Sequence, residues 1–134
     1  RQWRWLEAAL HGAREAGAKP PALQVVVGHR PVISAVMRDR TEHDALTSWR
    51  LKENLAMARV RNPVIYLSGH DHAFQHLKEH ANGVDFVGNG LGGFVLHPLA
   101  KRSQSPGQLK WAASHAHGFV VHEVDATSMT LHFV

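Results

Sequence analysis

The chain has 134 residues, of which 44% are apolar and 19% charged, and its 15 Lys and Arg against 11 Asp and Glu give a net charge of +4 with neutral histidines. This composition is typical of one globular domain, and no run approaches the ~20 apolar residues of a membrane helix. Lys and Arg form no stripe interleaved with aromatic residues, which argues against nucleic-acid binding. Disulfides and thiolate metal sites are excluded because cysteine is absent, whereas the 12 histidines outnumber the acidic residues.

The first half of the sequence alternates helices with short apolar strands. Apolar residues at helical spacing predict a helix over Trp3–Ala16, which a glycine and two prolines then end. Leu23–Val27 is an apolar, β-branched run before a glycine, which predicts a central strand buried on both faces. A second helix is predicted over Ala45–Arg59, and another buried strand follows over Val64–Leu67. Two such strands with a helix between them are expected to be parallel.

The second half of the sequence predicts antiparallel pairing. Phe74–Lys78 alternates between polar and apolar residues, and an Asn-Gly hairpin signal precedes a strand over Val84–Val87. Gly88–Gly107 is predicted to be a glycine-rich loop. Gly118–Val124 and Met129–Val134 are predicted to form a final hairpin. The sequence therefore predicts an α/β fold with mixed parallel and antiparallel sheets.

Histidines follow both predicted parallel strands. His29 comes after the first strand and its glycine, and Gly69-His70-Asp71-His72 follows the second. Because the carboxyl ends of parallel strands meet at one edge of a sheet, we expect His29, His70 and His72 to converge there. Neutral imidazoles are good ligands for zinc, iron and other transition metals, so this edge is a candidate metal site. The simpler alternative is a solvated loop whose imidazoles bond to backbone carbonyls.

Two residues near these histidines are candidates for supporting roles. Asp71 lies between two candidate ligands, and we expect it to point away from the metal and to orient backbone or an imidazole. A solvated loop aspartate is the alternative for this position. His43 could overhang the site as an accessory catalytic group, with a solvated surface histidine as its alternative.

A competing interpretation places His72, His76 and His80 on one helical face, as in the metal-binding helix of zinc proteases. No Glu stands where that motif requires it, and the alternation from Phe74 onward favours a hairpin. The glycine segment 88–93 lacks the Lys-Ser/Thr of a phosphate-binding loop. We expect it to be a tight loop that permits close backbone approach.

Two segments carry a resemblance to a known family. Val27–Ser34 and Tyr66–His72 resemble the last two motifs of the calcineurin-like metallophosphoesterases, in particular the small purple acid phosphatases typified by tartrate-resistant acid phosphatase. The resemblance continues through 82–87, the glycine loop, 117–119 and the strand at 128–131, and so covers nearly the whole chain.

The resemblance implies a phosphoric ester hydrolase with two metal ions and a bridging hydroxide that attacks phosphorus. His29 and His70 would bind one metal and His72 the other, and the implied metals are Fe with Fe, Zn or Mn. The implied activity is acid phosphomonoesterase, acting on a phosphorylated small molecule or phosphoprotein. Residues 1–134 would form the C-terminal half of a single αββα sandwich domain, in a secreted, periplasmic or lysosomal protein.

The chain departs from the family pattern in its missing motifs. Asp-x-His, Gly-Asp-x-x-Asp or Tyr, and Gly-Asn-His are absent, and these would supply the bridging carboxylate and further ligands. We therefore expect the chain alone to be inactive and to need the N-terminal half of the domain as its partner. The open alternatives are a phosphodiesterase of the same superfamily and a noncatalytic metal-binding or interaction module.

Overall fold

The computed structural model describes residues 1–11, 21–37, 45–80, 83–101 and 107–134. The helices and strands of these residues are, in chain order, α1 (Gln2–His11), β1 (Gln24–Gly28), α2 (Ala45–Arg59), β2 (Val64–Ser68), β3 (Phe74–Lys78), β4 (Asp85–Asn89), β5 (Gln108–Ala113), β6 (Val120–Val124) and β7 (Met129–Phe133). The predicted extension of α1 beyond residue 11 and the accessory residue His43 lie outside the described residues. Within them, neither helix has the length and apolar character needed to cross a membrane.

Five strands form one mixed sheet in the order β1-β2-β4-β3-β5, and β6 and β7 form a separate antiparallel pair. The strands β1, β2 and β4 are parallel, and β3 runs antiparallel to both β4 and β5. The predicted α/β fold with mixed pairing is therefore confirmed. The predicted bounds of α2 and β3 agree with the structure, and those of the other helices and strands within the described residues differ from it by a few residues at one end or both.

Both helices cover one face of the five-stranded sheet. Leu55 and Ala58 of α2 and Leu10 of α1 pack against Tyr66 and Phe86 in one buried cluster. Their spacing along α2 places them on one side of the helix, as the helical period requires. This face holds the main core.

The pair β6–β7 covers part of the opposite face. The register aligns His76 of β3 with Val87 of β4 and Trp111 of β5, and Phe74, two residues before His76, lies on the same face. The Phe133 ring of β7 lies 5.2 Å from the Phe74 ring and 4.7 Å from the Trp111 ring, centroid to centroid. These aromatic contacts attach the hairpin to the β3–β5 end of the sheet.

One prediction about the sheet is wrong, and one strand was not predicted. The strand β1 is an edge strand and not a central one, and Val25 and Val27 are 46% and 75% exposed on the face opposite the helices. The apolar run signals burial, but nothing within the described residues covers that side. The strand β5 follows the predicted Gly88–Gly107 loop, and the sequence predicted no strand there, because the pairing of β5 with β3 comes from a distant part of the sequence.

Candidate functional site

The two predicted strand–glycine–histidine units meet at the carboxyl ends of β1 and β2. The parallel register aligns Gly28 with Ser68, so His29 and His70 leave neighbouring strands at nearly the same height. The Nδ1 atom of His70 lies 3.1 Å from Nε2 of His29, and the two rings meet edge to face with centroids 4.9 Å apart. The structure therefore brings these two imidazoles within hydrogen-bond distance.

A glycine and a buried tyrosine fix the loop that carries His29. A Cβ atom at Gly28 would lie 2.0 Å from the hydroxyl oxygen of Tyr66, so only glycine fits beneath that ring. The Tyr66 hydroxyl donates a hydrogen bond to the carbonyl of Arg30 at 2.8 Å. Burial raises the pKa of Tyr66, which keeps it a neutral donor.

The loop after β2 holds His70 in an unusual backbone conformation. His70 has a φ of 60°, in the left-handed region that non-glycine residues rarely adopt. Tight turns flank it, because the Asp71 N–H donates to Gly69 and the Ala73 N–H donates to Asp71, each at 2.7 Å. Such conformations cost of order 1–3 kcal/mol and persist where the surroundings determine them.

Asp71 ties the two loops together from beneath. Its side chain is fully buried and accepts a hydrogen bond from the Ser34 hydroxyl. The buried Gln75 accepts from the Ala35 N–H at 2.7 Å and donates to the Ser34 hydroxyl at 3.2 Å. Asp71 thus contacts the loop that follows β1 through Ser34, and its full burial shows that the alternative of a solvated loop aspartate is wrong. The expected role of Asp71 in orienting backbone or an imidazole stays a prediction. No local pattern marked Ser34 or Gln75, because they meet Asp71 only in the folded chain.

His72 has different neighbours from the other two histidines. Its ring stacks on His97 with centroids 4.2 Å apart and meets Phe94 edge to face at 5.4 Å. Its Nδ1 lies 2.5 Å from the carbonyl oxygen of Val95, and its backbone N–H donates to Nδ1 of His97 at 3.1 Å. The sequence analysis did not identify His97. The one signal that could have marked it is that it is the only histidine in the glycine-rich loop.

A complete metal-ligand set is not formed by these side chains. Among the residues that the structure describes, no group of three His, Asp or Glu side chains is arranged to hold a metal ion. Asp71 is engaged with Ser34, and Nδ1 of His72 is engaged with Val95. The described residues therefore do not fit the dinuclear centre that the resemblance implies. Binding of Fe with Fe, Zn or Mn stays a prediction.

Two further histidines have partners other than the histidines of this site. His76 is on strand β3, not on a helix, so the three-histidine helical interpretation is correctly rejected. Its Nε2 lies 2.8 Å from Asp85, which also accepts from Lys78 at 3.3 Å. Burial alone would raise the pKa of Asp85, but the hydrogen bond from His76 and the Lys78 charge outweigh burial and lower it. Nδ1 of His117 lies 3.3 Å from the carbonyl oxygen of Leu91.

The glycine segment approaches the histidine loop closely. A Cβ atom at Gly90 would lie 1.8 Å from the carbonyl oxygen of Asp71, so a side chain there would displace the loop. Close backbone approach is what the sequence predicted for this segment. The segment therefore constrains the loop that carries Asp71.

Comparison with known proteins supports the fold. No protein-family model matches the chain, and no curated protein does. A solved structure described as "GAP50 the anchor in the inner membrane complex of Plasmodium" is similar over 98% of this chain, with 20% sequence identity and a TM-score of 0.71. The chain spans 37% of the length of that structure. At this identity the likeness shows the fold alone.

The family suggested by the two histidine motifs is wrong. The resemblance to purple acid phosphatases finds no matching family, and the solved structure to which the chain is similar is described as an anchor. The physical reason lies in the motifs themselves. Their glycines, Asp71 and Tyr66 are explained by the loop geometry described above, so they report how two strands end and not which reaction follows.

Proposed function

We propose that this chain is a noncatalytic interaction module that contributes part of a larger α/β sandwich. A complementary polypeptide segment, corresponding to the predicted N-terminal half of the domain, completes the sandwich at the β1 side of the sheet. The observation that carries this proposal is the uncovered edge strand β1, with Val25 and Val27 exposed.

The main chain of β1 is oriented for pairing with a further strand. The Gln24 N–H donates to Pro63 next to β2 at 2.9 Å. Alternate residues of a parallel strand bond to the same neighbour, so Val25 and Val27 direct their N–H and C=O groups toward the outer edge. The strand sequence Gln-Val-Val-Val-Gly contains no charged residue and no Pro, the residues that protect the edge strands of native sheets from pairing.

The side chains of β1 favour an apolar occupant. Val25 is in register with Ile65, and Val27 with Leu67, on the face that β7 covers at the other end of the sheet. Full burial of a valine side chain stabilises by about 1.5–3 kcal/mol, and Val25 and Val27 are already partly buried. Covering both valines would therefore contribute about 2–4 kcal/mol to association. The sequence of β1 is that of a buried strand, and the proposed segment provides the burial.

The comparison supports an interaction role over a catalytic one. The similar solved structure is described as an anchor, and more than half of its length lies outside the match. Among the described residues, no carboxylate joins His29 and His70 in a group that could hold a metal ion. A location outside the cytoplasm stays a prediction.

A strand-shaped probe tests the interaction surface. We would titrate the isotope-labelled chain with a soluble peptide of alternating Val and Thr flanked by Lys, following amide signals. The largest changes are expected at Val25 and Val27, and Val27→Lys is expected to weaken binding about tenfold or more, which is about 1.4 kcal/mol. Val134→Lys changes a valine elsewhere that is 63% exposed, against 75% for Val27, and serves as the matched control. Binding that Val27→Lys leaves unchanged would contradict the proposal.

A phosphatase assay tests the noncatalytic assignment. The purified chain is expected to show no metal-dependent hydrolysis of p-nitrophenyl phosphate with added iron, zinc or manganese, because a two-metal clamp needs bridging ligands. Turnover that depends on metal and disappears in His70→Ala would refute this assignment.

A further inference from the structure

The helix α2 is apolar on two opposite sides. One side packs into the core through Leu55 and Ala58. The other side is exposed and carries four large apolar side chains: Leu46 at 68%, Trp49 at 59%, Met57 at 63% and, one residue beyond the helix, Val60 at 83% exposure. A surface helix ordinarily presents polar residues to water, so a second apolar side calls for a partner.

These exposed residues form one continuous stripe. At 100° per residue, Leu46, Trp49, Glu53, Met57 and Val60 fall within an arc of about 80° on the side opposite Leu55. We call these five residues the outer stripe. Their spacing of three and four residues is the pattern with which one helix docks against another.

A groove adjoins the outer stripe. It has a volume of about 360 Å³ and is lined by Trp3 and Glu7 of α1 together with Leu46, Trp49, Arg50 and Glu53 of α2. Arg50 contacts the Glu7 carboxylate at 3.1 Å, and its guanidinium lies over the Trp3 ring, 4.9 Å from the centroid. This pairing neutralises Glu7 and Arg50, which leaves Glu53 as the remaining acidic group of the groove.

The position of Glu53 decides which partner fits. It lies at the midpoint of the outer stripe, between Leu46 and Val60. A second copy docked by two-fold symmetry would oppose Glu53 to its own equivalent, and opposed like charges are unfavourable. An anionic lipid surface would meet the same carboxylate. A basic side chain at the centre of an apolar partner surface complements it.

We infer that the outer stripe and its groove dock an amphipathic helix of a partner protein. A Lys or Arg of that helix lies opposite Glu53, with apolar side chains three and four residues to either side. This surface is on the helix-covered face of the sheet, whereas the exposed valines of β1 lie on the other face. The inference is therefore independent of the proposed strand pairing.

Two synthetic peptides that differ at one position test the inference. Each is a helix of about five turns, or about 18 residues, with leucines at helical spacing and either Lys or Glu at the centre. Fluorescence anisotropy of labelled peptide measures binding to the intact chain. The Lys peptide is expected to bind about tenfold more tightly than the Glu peptide, and Glu53→Lys is expected to reverse that preference.

Variants and controls make the outcome decisive. Trp49→Ala, at an exposed position, is expected to weaken both peptides about tenfold, and Val134→Lys is expected to change neither. Equal binding of the two peptides, or a preference that Glu53→Lys leaves intact, would overturn the inference. Two further results would overturn the inference: dimerisation in sedimentation equilibrium that Trp49→Ala abolishes, and binding to anionic phospholipid vesicles that Trp49→Ala abolishes. Either result would assign the outer stripe to another occupant.

Discussion

The two ends of the five-stranded sheet differ in what covers them. At the β5 end, Phe133 of the hairpin packs on Phe74 and Trp111 and covers part of the face opposite the helices, with Trp111 still 44% exposed. At the β1 end, Val25 and Val27 have the same apolar character and stay exposed. One sheet thus has an end to which the hairpin is attached and an end without such a contact, and this difference is the basis for the proposed strand pairing at β1.

The largest expected effect comes from removing the aromatic contact that attaches the hairpin to the β5 end of the sheet. Phe133→Ala removes the ring that joins the hairpin to the sheet, and we expect a loss of about 2–4 kcal/mol in the free energy of unfolding, because the ring is partly buried. Val27→Ala at the β1 end is expected to cost less than about 0.5 kcal/mol. Urea unfolding of both variants measures the difference. Similar losses would mean that β1 is covered in the free chain.

A second prediction concerns the buried hydrogen bonds that join Asp71, Ser34 and Gln75 beneath the histidine loops. Asp71→Ala leaves the Ser34 hydroxyl and its neighbours without their carboxylate, and we expect a loss of about 1–3 kcal/mol. Glu123, whose carboxylate contacts His132 at the surface, provides the comparison. Glu123→Ala is expected to change stability by less than about 0.5 kcal/mol. Thermal unfolding measures the stability of the two variants. If Asp71→Ala is as stable as Glu123→Ala, the buried hydrogen bonds of Asp71 do not contribute to stability.

The smallest expected effect is a pH dependence of stability that comes from Asp85, on strand β4 in the middle of the sheet. His76 and Lys78 lower the pKa of Asp85 below its ordinary value of 3.8, outweighing burial. A lowered pKa in the folded state stabilises the fold above the unfolded value, and that contribution is lost as pH falls below 3.8 through the lowered pKa. Asp85→Asn is therefore expected to be destabilising at neutral pH, with its cost shrinking in acid. A cost that is independent of pH would contradict the role assigned to the Asp85 charge.

Local patterning predicted the elements whose causes are local. The helix over Ala45–Arg59 and the strand at 74–78 follow from periodicity within a few residues. The position of β1 within the sheet could not be predicted in the same way, because apolar residues signal burial without saying which chain provides it. The pairing of β5 with β3 depends on residues about thirty positions apart.

The candidate site shows the same division. The register of β1 and β2 brings His29 and His70 together, as the strand–glycine–histidine pattern predicts. The stacking of His72 on His97 depends on where the glycine-rich loop returns, which no local motif encodes. The predicted family failed for a related reason, since its motifs describe how two strands end and do not specify a reaction.

Amide hydrogen exchange at β1 tests the central claim most directly. In the free chain, Val25 and Val27 are expected to exchange much faster than Val26, whose N–H points toward β2. Adding the alternating Val-Thr peptide is expected to slow exchange at Val25 and Val27 and to leave Val26 unchanged. Slow exchange at all three positions in the free chain, or no slowing on addition of the peptide, would contradict the account of β1 as an open interaction edge.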